Sequence, residues 1–194
     1  MTQTQLPLRI EGLDEYQSRI LDLSPVWLKN FRQRAVAQFT ALGIPTVKDE
    51  EFKYTSLVEL TNKKFQIAAK HRLVEEEDLD VFLDKADINI VLVNGVLWPE
   101  LSNFKNLPKG LTICAFGEAA AKFPAEVEAS VTKVTSNDAK SFLALNQALF
   151  LDGVFIKVDA SAAVDPLIHI VHVTSGVEDN SIVFPRSLVH VGAN

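Results

Sequence analysis

A change in hydrophobic period at Ile90 restricts the fold more than any other feature of this 194-residue chain. Before it, apolar residues recur at helical spacing. From Ile90 the chain reads Ile-Val-Leu-Val, then Asn94-Gly95, then Val-Leu-Trp. Asn-Gly accepts the positive φ of a type I′ turn, so β-rich runs on either side of it predict an antiparallel hairpin. Strands are expected to dominate beyond this point. The candidates are 111–116, 154–158 (entered through an Asp152-Gly153 turn), 167–174, 181–184 and 188–191. Ser175-Gly176 and Glu178-Asp179-Asn180 supply turns between the last of them. Two helices interrupt the series, an alanine-rich one over 118–122 and one carrying Phe142, Leu145 and Leu149 behind a Ser136-Asn137-Asp138 cap. This cadence suits a sandwich, a barrel or the coils of a β-solenoid, and periodicity does not choose among them.

The first reliable element upstream starts at Ser24-Pro25, an N-cap residue followed by a proline whose missing N–H costs nothing in the first turn. Leu28, Phe31, Ala35, Phe39 and Leu42 form one apolar stripe, and Gly43 and Pro45 supply the stop, which predicts a helix over 25–42. The stretch KDEEFKYTSL, residues 48–57, follows as a turn whose Phe52 and Tyr54 are expected to fold back onto that helix. Ser56 and Glu59 have the spacing of a capping box opening another short helix. Glu75, Glu76, Glu77 and Asp78 precede Leu79, Val81, Phe82 and Leu83, and carboxylates in a first turn are favoured by the helix dipole. A helical domain over 1–86 followed by a β-rich domain over 87–194 is the expected organisation.

Composition narrows the function classes. The apolar share of 47% and the charged share of 23% are those of an ordinary globular chain. Net charge is −6, with 12 basic against 14 acidic residues up to residue 85 and 7 against 11 beyond it. Neither part carries the clustered Lys and Arg that phosphate neutralisation demands, so no nucleic-acid partner is expected. No apolar run approaches the ~20 residues needed to span a bilayer, so no membrane partner is expected either. A single cysteine, Cys114, admits no internal disulfide and fits a reducing, cytoplasmic setting.

The residues that could carry chemistry do not assemble into a motif. One cysteine and four histidines (His71, His169, His172, His190) give no CxxC pair and no HExxH. His169 and His172 are three apart on a predicted strand, so they point to opposite faces. Cys114 sits between Ile113 and Ala115 and reads as buried filler. There is no Gly-x-Ser-x-Gly elbow, phosphate loop or dinucleotide fingerprint. Glu50 and Glu51 could act as paired carboxylates, but neighbours on a turn diverge. No catalytic, cofactor-binding or metal-ligating residue is assigned. Two alternatives stay open. One is a small hydrolase or transferase using His169, His172 or Glu50 as dispersed acid–base groups, which requires one concave pocket to unite them. The other is a standalone protein-binding module.

Several segments, taken in order, resemble the SufB/SufD family of iron-sulfur cluster assembly proteins, and its SufD branch in particular. They are Gly43-Ile44-Pro45 with KDEEFKYTSL, Leu92-Val93-Asn94-Gly95, Leu107-Pro108-Lys109-Gly110, Phe142 to Asn146, Phe150 to Ile156, Pro166 to Ile170, and Pro185-Arg186. Phe52 stands where the family usually has tryptophan, and Lys53 where it usually has arginine. The resemblance implies an α+β fold, an N-terminal helical domain followed by the first coils of a right-handed parallel β-helix that is incomplete here. It also implies a non-enzymatic scaffold subunit of the SUF system that acts with SufB and the ATPase SufC through regions mostly absent from this chain. The family's proposed cluster-handling cysteine and histidine lie late in the β-helix, so no cofactor is expected on this chain; the cluster belongs to the whole complex. A β-helix cut across its axis leaves backbone groups open at its last coil, which predicts self-association through that end.

Overall fold

The computed structural model describes residues 8–68, 74–83, 87–135, 140–175 and 180–193. In chain order the elements are β1 (Arg9–Glu11), α1 (Leu13–Asp22), α2 (Val26–Leu42), α3 (Val58–Asn62), β2 (Lys64–Ile67), α4 (Glu76–Leu79), β3 (Ile88–Val93) and β4 (Val96–Leu97). There follow β5 (Leu111–Ala115), α5 (Phe116–Lys122), α6 (Pro124–Thr135), α7 (Ser141–Leu149), β6 (Val154–Val158), β7 (Ile168–Val173), β8 (Ser181–Ile182) and β9 (Ser187–Val191). Contacts divide the chain into two interleaved units. The first is Met1–Ala68 with Val134–Leu149 and Glu178–Ile182; the second is Ala69–Lys133 with Phe150–Val177 and Val183–Asn194.

In the first unit α2 is the organising helix. Leu28, Phe31, Ala35 and Phe39 are buried along the predicted stripe, and α2 packs on α7, whose Ala144, Leu145, Ala148 and Leu149 are also buried. Burying each of the larger side chains stabilises by about 1.5–3 kcal/mol. Ser24 does not cap this helix. Pro25 occupies the N-cap position, while Ser24 Oγ donates to Ile20 O at 2.6 Å and accepts from Arg32 Nε at 3.2 Å. Arg32 is buried, and a buried guanidinium needs an acceptor more than a helix end open to water does. The expected Ser56 box is also missing. Leu57 precedes α3 without a side-chain cap, whereas the acidic start of α4 uses the device, Asp78 Oδ2 accepting from Glu75 N at 3.1 Å. A small parallel sheet completes the unit in the order β1-β2-β8.

The second unit holds two three-stranded sheets, β4-β3-β7 and β5-β6-β9. The Asn94-Gly95 hairpin is present: β3 and β4 are antiparallel, and both turn residues have positive φ, 50° and 81°. Asn94 also fastens the turn to the end of β7, its amide donating to Ser175 O at 2.9 Å and its Oδ1 accepting from Ser175 N at 3.1 Å. β5 and β6 are antiparallel. The long-range pairs are parallel, β3 with β7 from Ile88–Ile168 to Val93–Val173, and β6 with β9 from Val154–Ser187 to Val158–Val191. Alternation along the strands sends Ile88, Ile90, Leu92, Leu97, Leu111, Ile113, Val154 and Ile156 into one core shared by the two sheets. The other face of β3 and β7 packs Val91, Val93 and Val171 against Leu79 of α4, Trp98 and Leu101.

Helices interrupt the strand-rich half more than its sequence suggests. Phe116 opens α5 instead of ending β5, and α6 adds 12 residues of helix in a stretch for which the sequence predicts no element. Pro124 stands first in that helix, where proline is tolerated. The predicted Ser136-Asn137-Asp138 cap and the Gly176 to Asp179 turn lie outside the described residues.

Candidate functional site

The corner at 48–57 is built from short-range bonds. Asp49 Oδ2 accepts from Thr46 N at 2.7 Å and from Thr46 Oγ1 at 3.1 Å, and these bonds hold its carboxyl below the usual carboxylate range. Glu50–Phe52 then form one tight 3₁₀ turn. The anchor is Phe52 alone, and its ring meets Phe142 of α7 edge-on at 5.8 Å. Glu51 pairs with Lys140 Nζ at 2.8 Å, and Ser141 Oγ donates to Gly43 O. Tyr54 is 92% exposed and anchors nothing. Both Glu50 and Glu51 are exposed, so neither has the desolvated setting that tunes a carboxylate for acid–base work.

The histidines are dispersed. His169 Nδ1 lies 3.2 Å from Oδ1 of the buried Asn89, its register partner on β3. His172 is exposed, and its position in β7 puts it on the face of Ile168 and Ile170, opposite His169. His71 lies outside the described residues. Among the described residues no group of three or more His, Cys, Asp or Glu is placed to hold a metal ion, and no helix is long and apolar enough to cross a membrane. Cys114 is buried on β5, and burial, reinforced by Glu118, pushes its thiol up to about 11; it stays protonated and unreactive at neutral pH.

One polar cluster is not revealed by the sequence. On the outer face of β6 and β9, Lys157 and His190 are register partners beneath α6. His190 Nδ1 lies 2.8 Å from Ser130 Oγ, and Lys157 Nζ lies 3.4 Å from Glu126, 3.6 Å from Asp159 and 4.8 Å from the centre of the Phe123 ring. Glu126 and Ser130 are one turn apart on α6, so these contacts fasten that helix to the sheet. The carboxyl of Glu126 is held low, chiefly by its own backbone amide and then by Lys157 and His190. No sequence signal joins Ser130 to His190; only the β6–β9 register brings them together.

A second constellation is structural. Val154 N donates to Arg186 O at 3.0 Å, and a Cβ placed on Gly153 would stand 1.9 Å from that same oxygen. The Arg186 guanidinium lies 5.2 Å from the centre of the Phe150 ring, which meets Phe116 edge-on at 4.9 Å. A Cβ on Gly95 would approach Pro185 Cα at 3.2 Å. The two glycines therefore admit the Phe184-Pro185-Arg186 segment against the hairpin turn and the start of β6.

The chain matches the N-terminal region of SufBD proteins over residues 10–170. It belongs to the SufBD family. It is 28% identical over 193 residues to the iron-sulfur cluster assembly SufBD family protein slr0076 of Synechocystis sp., covering 99% of this chain and 42% of that protein. It is also 28% identical over 172 residues to the iron-sulfur cluster assembly SufBD family protein ABCI9 of Arabidopsis thaliana, covering 75% of this chain and 36% of that protein. The chain thus spans less than half the length of these curated relatives. Three of the segments on which the SufBD resemblance rests meet in the Arg186 constellation: Asn94-Gly95, Phe150 to Ile156, and Pro185-Arg186. In this SufBD chain they are packing residues.

Proposed function

We propose that this chain is the N-terminal portion of a SufD-like scaffold subunit of iron-sulfur cluster assembly, acting with SufB-like and SufC-like partners and carrying no catalytic site of its own. Membership in the SufBD family carries the proposal, together with the similarity to iron-sulfur cluster assembly proteins of Synechocystis and Arabidopsis. The sheet pattern supports the architectural part. All three sheets take their last strand by parallel addition, β8 on β2, β7 on β3 and β9 on β6, which suits the first coils of a right-handed parallel β-helix. On this reading the helical segment precedes a β-helix, and the free edges of β7 and β9 are where further strands add. The sites of cluster chemistry and of ATP hydrolysis lie on other parts of the complex, and the setting is the cytoplasm. The hydrolase alternative receives no support from the geometry, because His169 and His172 face opposite sides of β7 and Glu50 is exposed.

The test is coexpression of the protein, in its full reading frame, with SufB-like and SufC-like proteins under reducing conditions, followed by affinity capture. Recovery of both partners is expected. Failure to associate with either would overturn the proposal.

A further inference from the structure

We draw no further inference here: the strongest candidate, the Ser130–His190 pair with Glu126, Lys157 and Asp159 on the outer face of β6 and β9, consists of groups that answer one another while fastening α6 to the sheet, and nothing in the structure points to a ligand for them.

Discussion

Replacing Gly153 by alanine tests the way β6 and β9 are joined. The added methyl would sit 1.9 Å from Arg186 O and 2.8 Å from Arg186 C, both backbone atoms that no rotamer change can move. Reaching ordinary van der Waals separation requires the strands to part by about 1.5 Å. That displacement breaks the Val154 N to Arg186 O bond, at about 1 kcal/mol, in addition to about 2–3 kcal/mol for overpacking. With a urea slope of about 2 kcal/mol per molar, a loss of about 3–4 kcal/mol lowers the unfolding midpoint by about 1.5–2 M. The two tryptophans fall one in each unit, Trp27 in α2 and Trp98 beside Val91 and Val93, so Trp27→Phe leaves Trp98 fluorescence as a reporter on the second unit. Gly117→Ala is the contrasting control. Its Cβ would meet only Asp152 Oδ1, at 3.9 Å, inside a helix where alanine is the better residue, so its midpoint should rise by about 0.3–0.5 M. A Gly153→Ala protein that unfolds within about 0.3 M of its parent would show that Arg186 is not held where the structure places it.

Phe52→Ala should cost about 2–3 kcal/mol in denaturant unfolding, since it removes the half-buried ring against Phe142, while Tyr54→Ala should change stability by less than about 0.5 kcal/mol. Equal effects would refute the anchor assignment. Burial raises Cys114 from 9.0 to about 11, so the folded state favours the thiol. That contribution is complete below pH 9 and disappears as the pH climbs toward 11. Unfolding midpoints measured from pH 8 to 11 should therefore fall, less steeply in Cys114→Ala, and alkylation of the native thiol at pH 8 should run about 100-fold slower than in urea. Among the described residues β9 (Ser-Leu-Val-His-Val, without Asp, Glu, Lys or Arg) ends its sheet, and it exposes Val189 and Val191, 55% and 67% accessible. Light scattering should show a mass that rises with concentration, and Val189→Lys should suppress the rise; a stable monomer at high concentration would count against strand addition at this edge.

Local signals were legible where a residue's own backbone preference decides the structure. The stripe from Leu28 to Phe39 gave α2, and Asn94-Gly95 gave the β3–β4 hairpin, because each depends on neighbours within a turn or two. Ser24 misled because its hydroxyl is claimed by Arg32, eight residues away, and no propensity encodes that competition. The helix over Pro124–Thr135 was not foreseen, because a proline marks the end of one helix as readily as the start of the next. The parallel partners of β3, β6 and β2 were not legible, since a strand's pattern states which face is buried and not which strand lies beside it. The Ser130–His190 contact depends on that register and was hidden with it. The family resemblance was legible because it rests on glycine and turn segments that are recognisable as short strings, even though Gly153 and Gly95 answer to the distant Phe184-Pro185-Arg186 segment.

Parallel pairing between distant segments also governs how the chain is made. Ile88 cannot meet Ile168 until 80 more residues have been polymerised, which takes about 4–16 s at ordinary elongation rates. For that interval the strand Ile-Asn-Ile-Val-Leu-Val has only the two-residue β4 beside it, and an uncharged apolar strand with one open side is a template for intermolecular pairing. Nascent copies on one messenger are therefore most vulnerable to one another between the synthesis of β3 and that of β7, when a holdase chaperone would protect them most.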